Sequence, residues 1–235
     1  MSDYKFILTQ IKKAIHNYQM IMPHDFVAVG LSGGKDSMGL LYLLHELQIH
    51  SHLNFRLCAI HLDYGWGNED ELSLLKDFAL SMNIPCYIEK INYPAERAVS
   101  CSVCARVRRG ALLKKAQNLG VNKLALAHHL DDAVQTVLLN LTDGGRFRSF
   151  KPTIAYPEQN LTLIRPLIYV NESSLIRLKD EQHLPIIPSH CPLGECTNRS
   201  NAAQLLSALE KTQPHIKQKI LHALEHLEAD DAWVK

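Results

Sequence analysis

No stretch of the 235 residues is long and apolar enough to span a membrane as a helix, which removes helical membrane proteins from the candidates. The opening Met1-Ser2-Asp3-Tyr4-Lys5 lacks the layout of a secretory signal, so a cytoplasmic address and no membrane partner are expected. Charge of one sign is also missing. The 25 Lys and Arg against 24 Asp and Glu leave a net charge of +1, so any nucleic-acid surface must be a local one. Repeats and low-complexity segments are absent, which excludes solenoid arrays. Six cysteines are present: Cys58, Cys86, Cys101, Cys104, Cys191 and Cys196. Without an export signal they are expected to be reduced, or to act as ligands, rather than to form disulfides. A chain of this length buries a full core without such cross-links.

What is there is one alternating βα series. Residues 4–20 place Tyr4, Ile7, Leu8, Ile11, Ile15 and Tyr18 on one helical face. Apolar runs predict strands at 26–31, 55–60, 85–89 and 123–127, with further strands at 161–164 and 185–187. Helices are expected at 38–44, 69–82, 104–119, 131–141 and 172–182, and twice after residue 200. The run Thr142-Asp143-Gly144-Gly145-Arg146 is expected to break the helix before it. Strands alternating with helices imply an α/β fold, a doubly wound parallel sheet covered on both faces. The expected organisation is an N-terminal helix in 1–24, a nucleotide-binding and catalytic domain in 25–200, and C-terminal helices packed on it in 201–235.

The most informative stretch is Ser32-Gly33-Gly34-Lys35-Asp36-Ser37, between the first strand and a helix. Strand, glycine-rich turn and helix together aim backbone N–H groups and the positive end of a helix dipole at one point. Gly33 and Gly34 let the backbone approach an oxyanion, Lys35 adds a full charge, and Ser32 and Ser37 add hydroxyl donors. It is not a Walker A loop: Val29 stands where that pattern needs glycine, and Asp36 where it needs Ser or Thr. His61, Asp63 and His128 also fall at strand ends, where such sheets bind ligands, and are candidates for contacting a nucleotide.

Asp131 and Asp132 follow a strand at the start of a helix. By themselves they read as readily as a cap with a dipole-favoured neighbour. Beside a triphosphate cradle, their hard oxygens and those of Asp36 suit Mg²⁺. Lys35, Asp36, Asp131 and Asp132 are therefore the catalytic candidates. Cys101-Ser102-Val103-Cys104 reads three ways: a redox pair, half a zinc site completed by Cys191 and Cys196, or two ligands of an iron–sulfur cluster. Two basic groups lie near these motifs: Arg106, Arg108, Arg109, Lys114 and Lys115, and then Arg146, Arg148 and Lys151. They suit phosphates of an RNA with an unstacked base, although each charge taken singly is more simply a solvated one.

In order along the chain come SGGKDS, Cys101-x-x-Cys104 with Ala-Arg-Val-Arg-Arg-Gly, Ala127-His128-His129-Leu130-Asp131-Asp132, Arg165-Pro166-Leu167, and Pro185-Ile186-Ile187-Pro188 before a cysteine. This set resembles the tRNA 2-thiocytidine synthetase branch of the PP-loop tRNA thiolation enzymes, from about Asp25 to Arg199. The resemblance implies a PP-loop ATPase fold of the adenine nucleotide alpha hydrolase type, ATP with Mg²⁺, a [4Fe–4S] cluster, and sulfur insertion at C2 of an anticodon-loop cytidine. It also implies tRNA and a sulfur donor (a cysteine desulfurase or sulfide) as partners, and it is compatible with a homodimer. Cys101, Cys104 and Cys191 are then the cluster ligands, with Cys196 the competing choice for the third. No cysteine sets of zinc-finger type flank the core, which argues against the 2-thiouridine branch. Adenylating the C2 oxygen would turn a poor leaving group into AMP, so that sulfur can displace it.

Overall fold

The computed structural model describes residues 3–91, 101–191 and 197–227. Eight α-helices and six strands are found among them: α1 Asp3–Asn17, β1 Phe26–Gly30, α2 Lys35–His50, β2 Arg56–Asp63, α3 Glu69–Ser81, β3 Cys86–Lys90, α4 Cys101–Asn118, β4 Lys123–Ala125, α5 Leu130–Gly144, β5 Thr153–Tyr156, β6 Leu161–Ile164, α6 Glu172–Glu181, α7 Thr197–Thr212 and α8 Ile216–Glu225. The strands form one sheet in the order β3-β2-β1-β4-β6-β5. All neighbours are parallel except β5 and β6. The chain leaves β1 toward β2 on one side and β4 toward β6 on the other. The β1/β4 boundary is thus the point where the connections diverge, and the carboxyl ends there open into a crevice.

Burial on both faces explains the apolar continuity of β1. Val27 and Val29 join the larger core with α1 and α2, while Ala28 joins a second core with Leu112 and Ala116 of α4. Period-2 alternation is lost because neither face meets water. Helix α2 is apolar nearly all round for the same reason: Met38, Leu40, Leu41, Leu43, Leu44 and Leu47 are buried between the sheet and α6. Gly39 faces α6, where a Cβ would come into ordinary contact with the Leu178 side chain at 3.5 Å. Helix α1 buries Ile7, Ile11, Ala14 and Ile15 against this core, the face expected from its spacing. Helices α7 and α8 pack on α5, where Leu206 joins Leu130, Val134 and Leu138. Glu225 on α8 accepts hydrogen bonds from Tyr169 and, at 2.6 Å, from Tyr18 just beyond α1. No described helix is long and apolar enough to cross a membrane.

Several details differ from the sequence expectation. Residues 185–187 form no strand. Pro185 and Pro188 lack the N–H donors a ladder needs, and the Ile187 N–H goes instead to the Gly33 carbonyl at 2.9 Å. β4 ends at Ala125, two residues early, as the chain turns toward α5. Helix α5 continues to Gly144 and stops only where Gly145 takes a left-handed φ of 60°. The antiparallel β5 was not anticipated; a single helical turn at Pro157–Gln159 and a left-handed Asn160 reverse the chain between β5 and β6.

Candidate active site

The SGGKDS segment lies at the carboxyl end of β1, and α2 starts inside it. Gly34 is the N-cap of α2 and makes no side-chain cap, so the first turn presents its N–H groups to the crevice. Gly33 has φ of +85°, a left-handed conformation open to glycine, and Ile187 lies where a Cβ would come, at 3.0 Å. The loop is braced from within: the Ser32 and Ser37 hydroxyls are 2.9 Å apart, and Ser37 donates to the Gly34 carbonyl at 3.0 Å. His61 braces it from β2, its Nδ1–H donating to the Leu31 carbonyl at 2.8 Å. Burial holds the His61 imidazole below its ordinary pKa, so it is neutral at neutral pH with Nε2 as an acceptor. Asp63 accepts from the Gly65 N–H at 2.7 Å and so shapes the turn that follows β2.

The Lys35 ammonium sits 2.8 Å from Glu172 and 3.1 Å from Asp36. Burial works to lower its pKa, but the two carboxylates outweigh burial and leave it raised. Asp36 shows the opposite balance: burial pushes its carboxyl above the ordinary range, beyond what the His129 and Lys35 charges pull back. Its Oδ1 is buried without a hydrogen bond, the ion pair with Lys35 aside.

His129 is the centre of the acidic group, and sequence reasoning passed over it in favour of His128. Buried at 4 % exposure, it places Nε2 3.5 Å from Asp132 and 3.9 Å from Asp36, and Nδ1 3.7 Å from Asp131. Its Nδ1 makes no hydrogen bond. The tandem His-His signalled a site; only the direction in which the chain leaves β4 decides which ring turns inward. His128 meets Arg165 instead, whose Nε donates to its Nδ1 at 3.3 Å. Arg165 is buried, lies over the Phe150 ring at 4.7 Å, and is pushed down to about 10 by burial and by nearby Arg109.

The two adjacent aspartates differ. Both oxygens of Asp131 are engaged: Oδ1 with Lys217 at 2.5 Å and Oδ2 with the Glu172 N–H at 2.8 Å. Asp132 Oδ2 accepts only locally, from the His129 N–H at 3.0 Å. Asp131 therefore joins α5, α6 and α8, whereas Asp132 and Asp36 face each other across His129. No three His, Cys, Asp or Glu side chains among the described residues converge tightly enough to hold a metal by themselves. Mg²⁺ asks for less, one or two carboxylates with substrate phosphates completing its shell, and Asp36 with Asp132 fits that requirement.

Helix α4 begins at Cys101, whose side chain lies outside the described residues, as does all of Cys196. Cys104 is buried and free, and Cys191 is free and half-buried. Both thiols lie within electrostatic reach of the Arg108 guanidinium. The exposed Arg106, Arg108 and Arg109 share that end of α4, which meets the crevice at Arg165. Two soft donors beside a basic helix, with a third cysteine one helical turn away from Cys104, fit a thiolate-held cluster. Cys58 and Cys86 stand apart in the sheet, and burial pushes the Cys58 thiol up to about 12 and Cys86 to about 11, as inert core residues.

Residues 5–185 match the model of the PP-loop domain family. The chain is 37% identical to a tRNA-cytidine(32) 2-sulfurtransferase of Pelobacter propionicus, across 92% of this chain and 84% of that one. It is 36% identical to the protein of the same name from Coxiella burnetii, across 95% and 90%. Among solved structures it is similar to the U34-tRNA thiolase NcsA from Methanococcus maripaludis with its [4Fe-4S] cluster. That likeness has a TM-score of 0.81 and 26% identity, and covers 96% of this chain and 78% of that one.

Proposed function

This chain belongs to the PP-loop family and, within it, to the tRNA-cytidine 2-sulfurtransferases, and from that premise we propose how its residues make 2-thiocytidine in the anticodon loop. The observation that carries the proposal is the bond from the Ile187 N–H to the Gly33 carbonyl at 2.9 Å. It ties the segment leading to Cys191 to the phosphate cradle, so one crevice holds both an anion site and a thiolate site.

ATP is the activating substrate. The N-terminus of α2 and Lys35 take the β- and γ-phosphates, and Lys35 stabilises the charge that develops on pyrophosphate as it leaves. Asp36 and Asp132 would hold Mg²⁺, which would offset negative charge on ATP and the departing pyrophosphate. The cytosine C2 oxygen attacks the α-phosphorus, the bond to pyrophosphate breaks, and an O–AMP group remains on C2. A [4Fe–4S] cluster held by Cys101, Cys104 and Cys191 would supply the sulfur that replaces AMP. Asp131 has both carboxylate oxygens engaged within the protein. It positions α6, whose Glu172 orients Lys35. The exposed Arg106, Arg108 and Arg109 line the approach for RNA phosphates. Residues 25–200 form the catalytic body in this reading, with 1–24 and 201–235 as helical supports, and a cysteine desulfurase or free sulfide as the sulfur source.

Nucleoside mass spectrometry of tRNA from a deletion strain tests the reading. Loss of 2-thiocytidine, restored by the wild-type chain and not by Lys35→Ala, is expected. Intact 2-thiocytidine with loss of 2-thiouridine would move the protein to the other thiolase branch.

A further inference from the structure

Helix α5 starts at the crevice and ends about 20 Å away, and the segment 146–151 carries the chain back beside it. At the far end the Arg146 N–H donates to the Asn140 carbonyl at 2.9 Å, and the Asn140 side chain donates to the Arg148 carbonyl at 2.9 Å. Nearer the crevice, the Ser149 hydroxyl donates to the Ala133 carbonyl at 2.8 Å. Two helical turns separate Ala133 from Asn140, so both lie on one side of α5, about 10 Å apart along it. The strap covers that length between Arg146 and Ser149, which requires a nearly extended backbone. It finishes against the crevice wall, where the Lys151 carbonyl accepts from Arg165 Nη1 and the Phe150 ring lies 5.0 Å from that of His128.

An extended segment sends alternate side chains to opposite sides, which puts Arg146 and Arg148 together and turns Phe147 away from them. Both arginines line a cavity of about 310 Å³ at the end of α5, together with Asn140 and Asp143. Asp143 is the acidic residue of that lining; its Oδ1 accepts from the Thr142 hydroxyl at 3.2 Å, and two guanidiniums against one carboxylate leave the cavity positive. Arg146, Arg148 and Lys151 are all exposed, and among the described residues none of the three makes an ion pair. Three cations without carboxylate partners, on a backbone braced at both ends, make a local positive field on a chain whose net charge is only +1.

We propose that Arg146, Arg148 and Lys151 form a second track for the phosphate backbone of the RNA substrate, separate from the arginines of α4 and leading along α5 to the crevice. Arg165 touches both groups, since it donates to the Lys151 carbonyl and has Arg109 within electrostatic reach. A backbone lying along the strap reaches the crevice at Lys151 and continues toward α4, so the nucleotide between the two groups faces the cradle. Phosphate contacts by Arg and Lys release counterions and are blind to sequence. The strap therefore sets where the strand lies, and the crevice sets which base reacts. The proposal rests on the tRNA reading above and deepens it: the substrate is held by a site that extends to the far end of α5, outside the catalytic crevice.

The test measures binding of unmodified tRNA to the full chain by fluorescence anisotropy over about 50–200 mM salt. The triple variant Arg146→Gln, Arg148→Gln, Lys151→Gln should bind roughly tenfold or more weakly, and its slope of log affinity against log salt should be shallower by about 2. Arg146→Lys with Arg148→Lys keeps the charges and should keep the slope. The control for net charge is Lys5→Gln, Lys12→Gln, Lys76→Gln, three exposed positions on α1 and α3, which should bind tRNA as the wild type does. ATP affinity and Tm should be equal in all variants. A triple variant with wild-type affinity and slope would overturn the track and leave the sulfurtransferase reading intact. Wild-type tRNA binding with lost thiolation would overturn it in favour of a contact with the sulfur-donor protein, and an equal loss in the control variant would reduce it to net charge. A wild-type chain that binds no tRNA at all would remove both readings.

Discussion

Lys217→Met is expected to damage both the fold and the ATP site, although Lys217 lies far along the chain from the cradle. Its ammonium is 2.5 Å from Asp131 Oδ1, and the two side chains are 15% and 7% exposed. Glu210, its other partner at 2.9 Å, is 44% exposed and stays hydrated when the lysine is lost. Asp131 does not: it is left as a buried carboxylate holding only the Glu172 N–H. Removing one partner of a buried pair costs about 3–5 kcal/mol, and the partial exposure of Lys217 places this case near 3 kcal/mol. For a chain of this size that is a fall in Tm of roughly 6–12 °C. The displacement passes along α6 to Glu172 and then to Lys35, so the KM for ATP should rise as well. Urea denaturation of the wild type, Lys217→Met, Asp131→Asn and the double variant measures the coupling, and the double variant should be more stable than Lys217→Met alone. A loss below about 1 kcal/mol, the level of an exposed pair, would refute the reasoning.

The other predictions are more local. Asp36→Asn should abolish AMP-forming turnover yet stabilise the fold at neutral pH, because burial holds the Asp36 carboxyl above its unfolded pKa and its ionised form is therefore costly. The sign follows: as pH falls through the raised folded-state value, wild-type Asp36 protonates, and the advantage of the variant should vanish; an advantage constant with pH would contradict this. Gly33→Ala should cost about 1–3 kcal/mol, from a positive φ and an Ile187 contact, and weaken ATP binding, as calorimetry would report. Cys101→Ala, Cys104→Ala and Cys191→Ala should each lose reconstituted iron and 2-thiocytidine, whereas Cys196→Ala should keep most of both; a dead Cys196→Ala with an active Cys191→Ala would reverse the third-ligand assignment. Anaerobic reconstitution should give a brown protein bleached by air, and stoichiometric zinc without iron uptake would point to a structural metal instead.

The alternating apolar runs, the glycine turn and the cysteine spacing were legible because each depends on neighbours within a few residues. β1 reads as a strand wherever it lies, and Gly33-Gly34 before a helix implies an anion cradle without knowing the rest of the sheet. Tertiary structure decided the matters that join distant segments. That His129 rather than His128 turns into the acidic group depends on how the chain leaves β4. That Asp131 is held and Asp132 left facing Asp36 depends on Lys217, 86 positions from Asp131, and on the start of α6. The segment 185–187 looked like a strand by composition, but the Ile187 N–H found the Gly33 carbonyl rather than a ladder, which is how the cysteine segment came to be tied to the phosphate loop. Local pattern determines which element a segment forms; which side chain of a tandem pair is buried, and against whose charge, is a property of packing between elements that no local window contains.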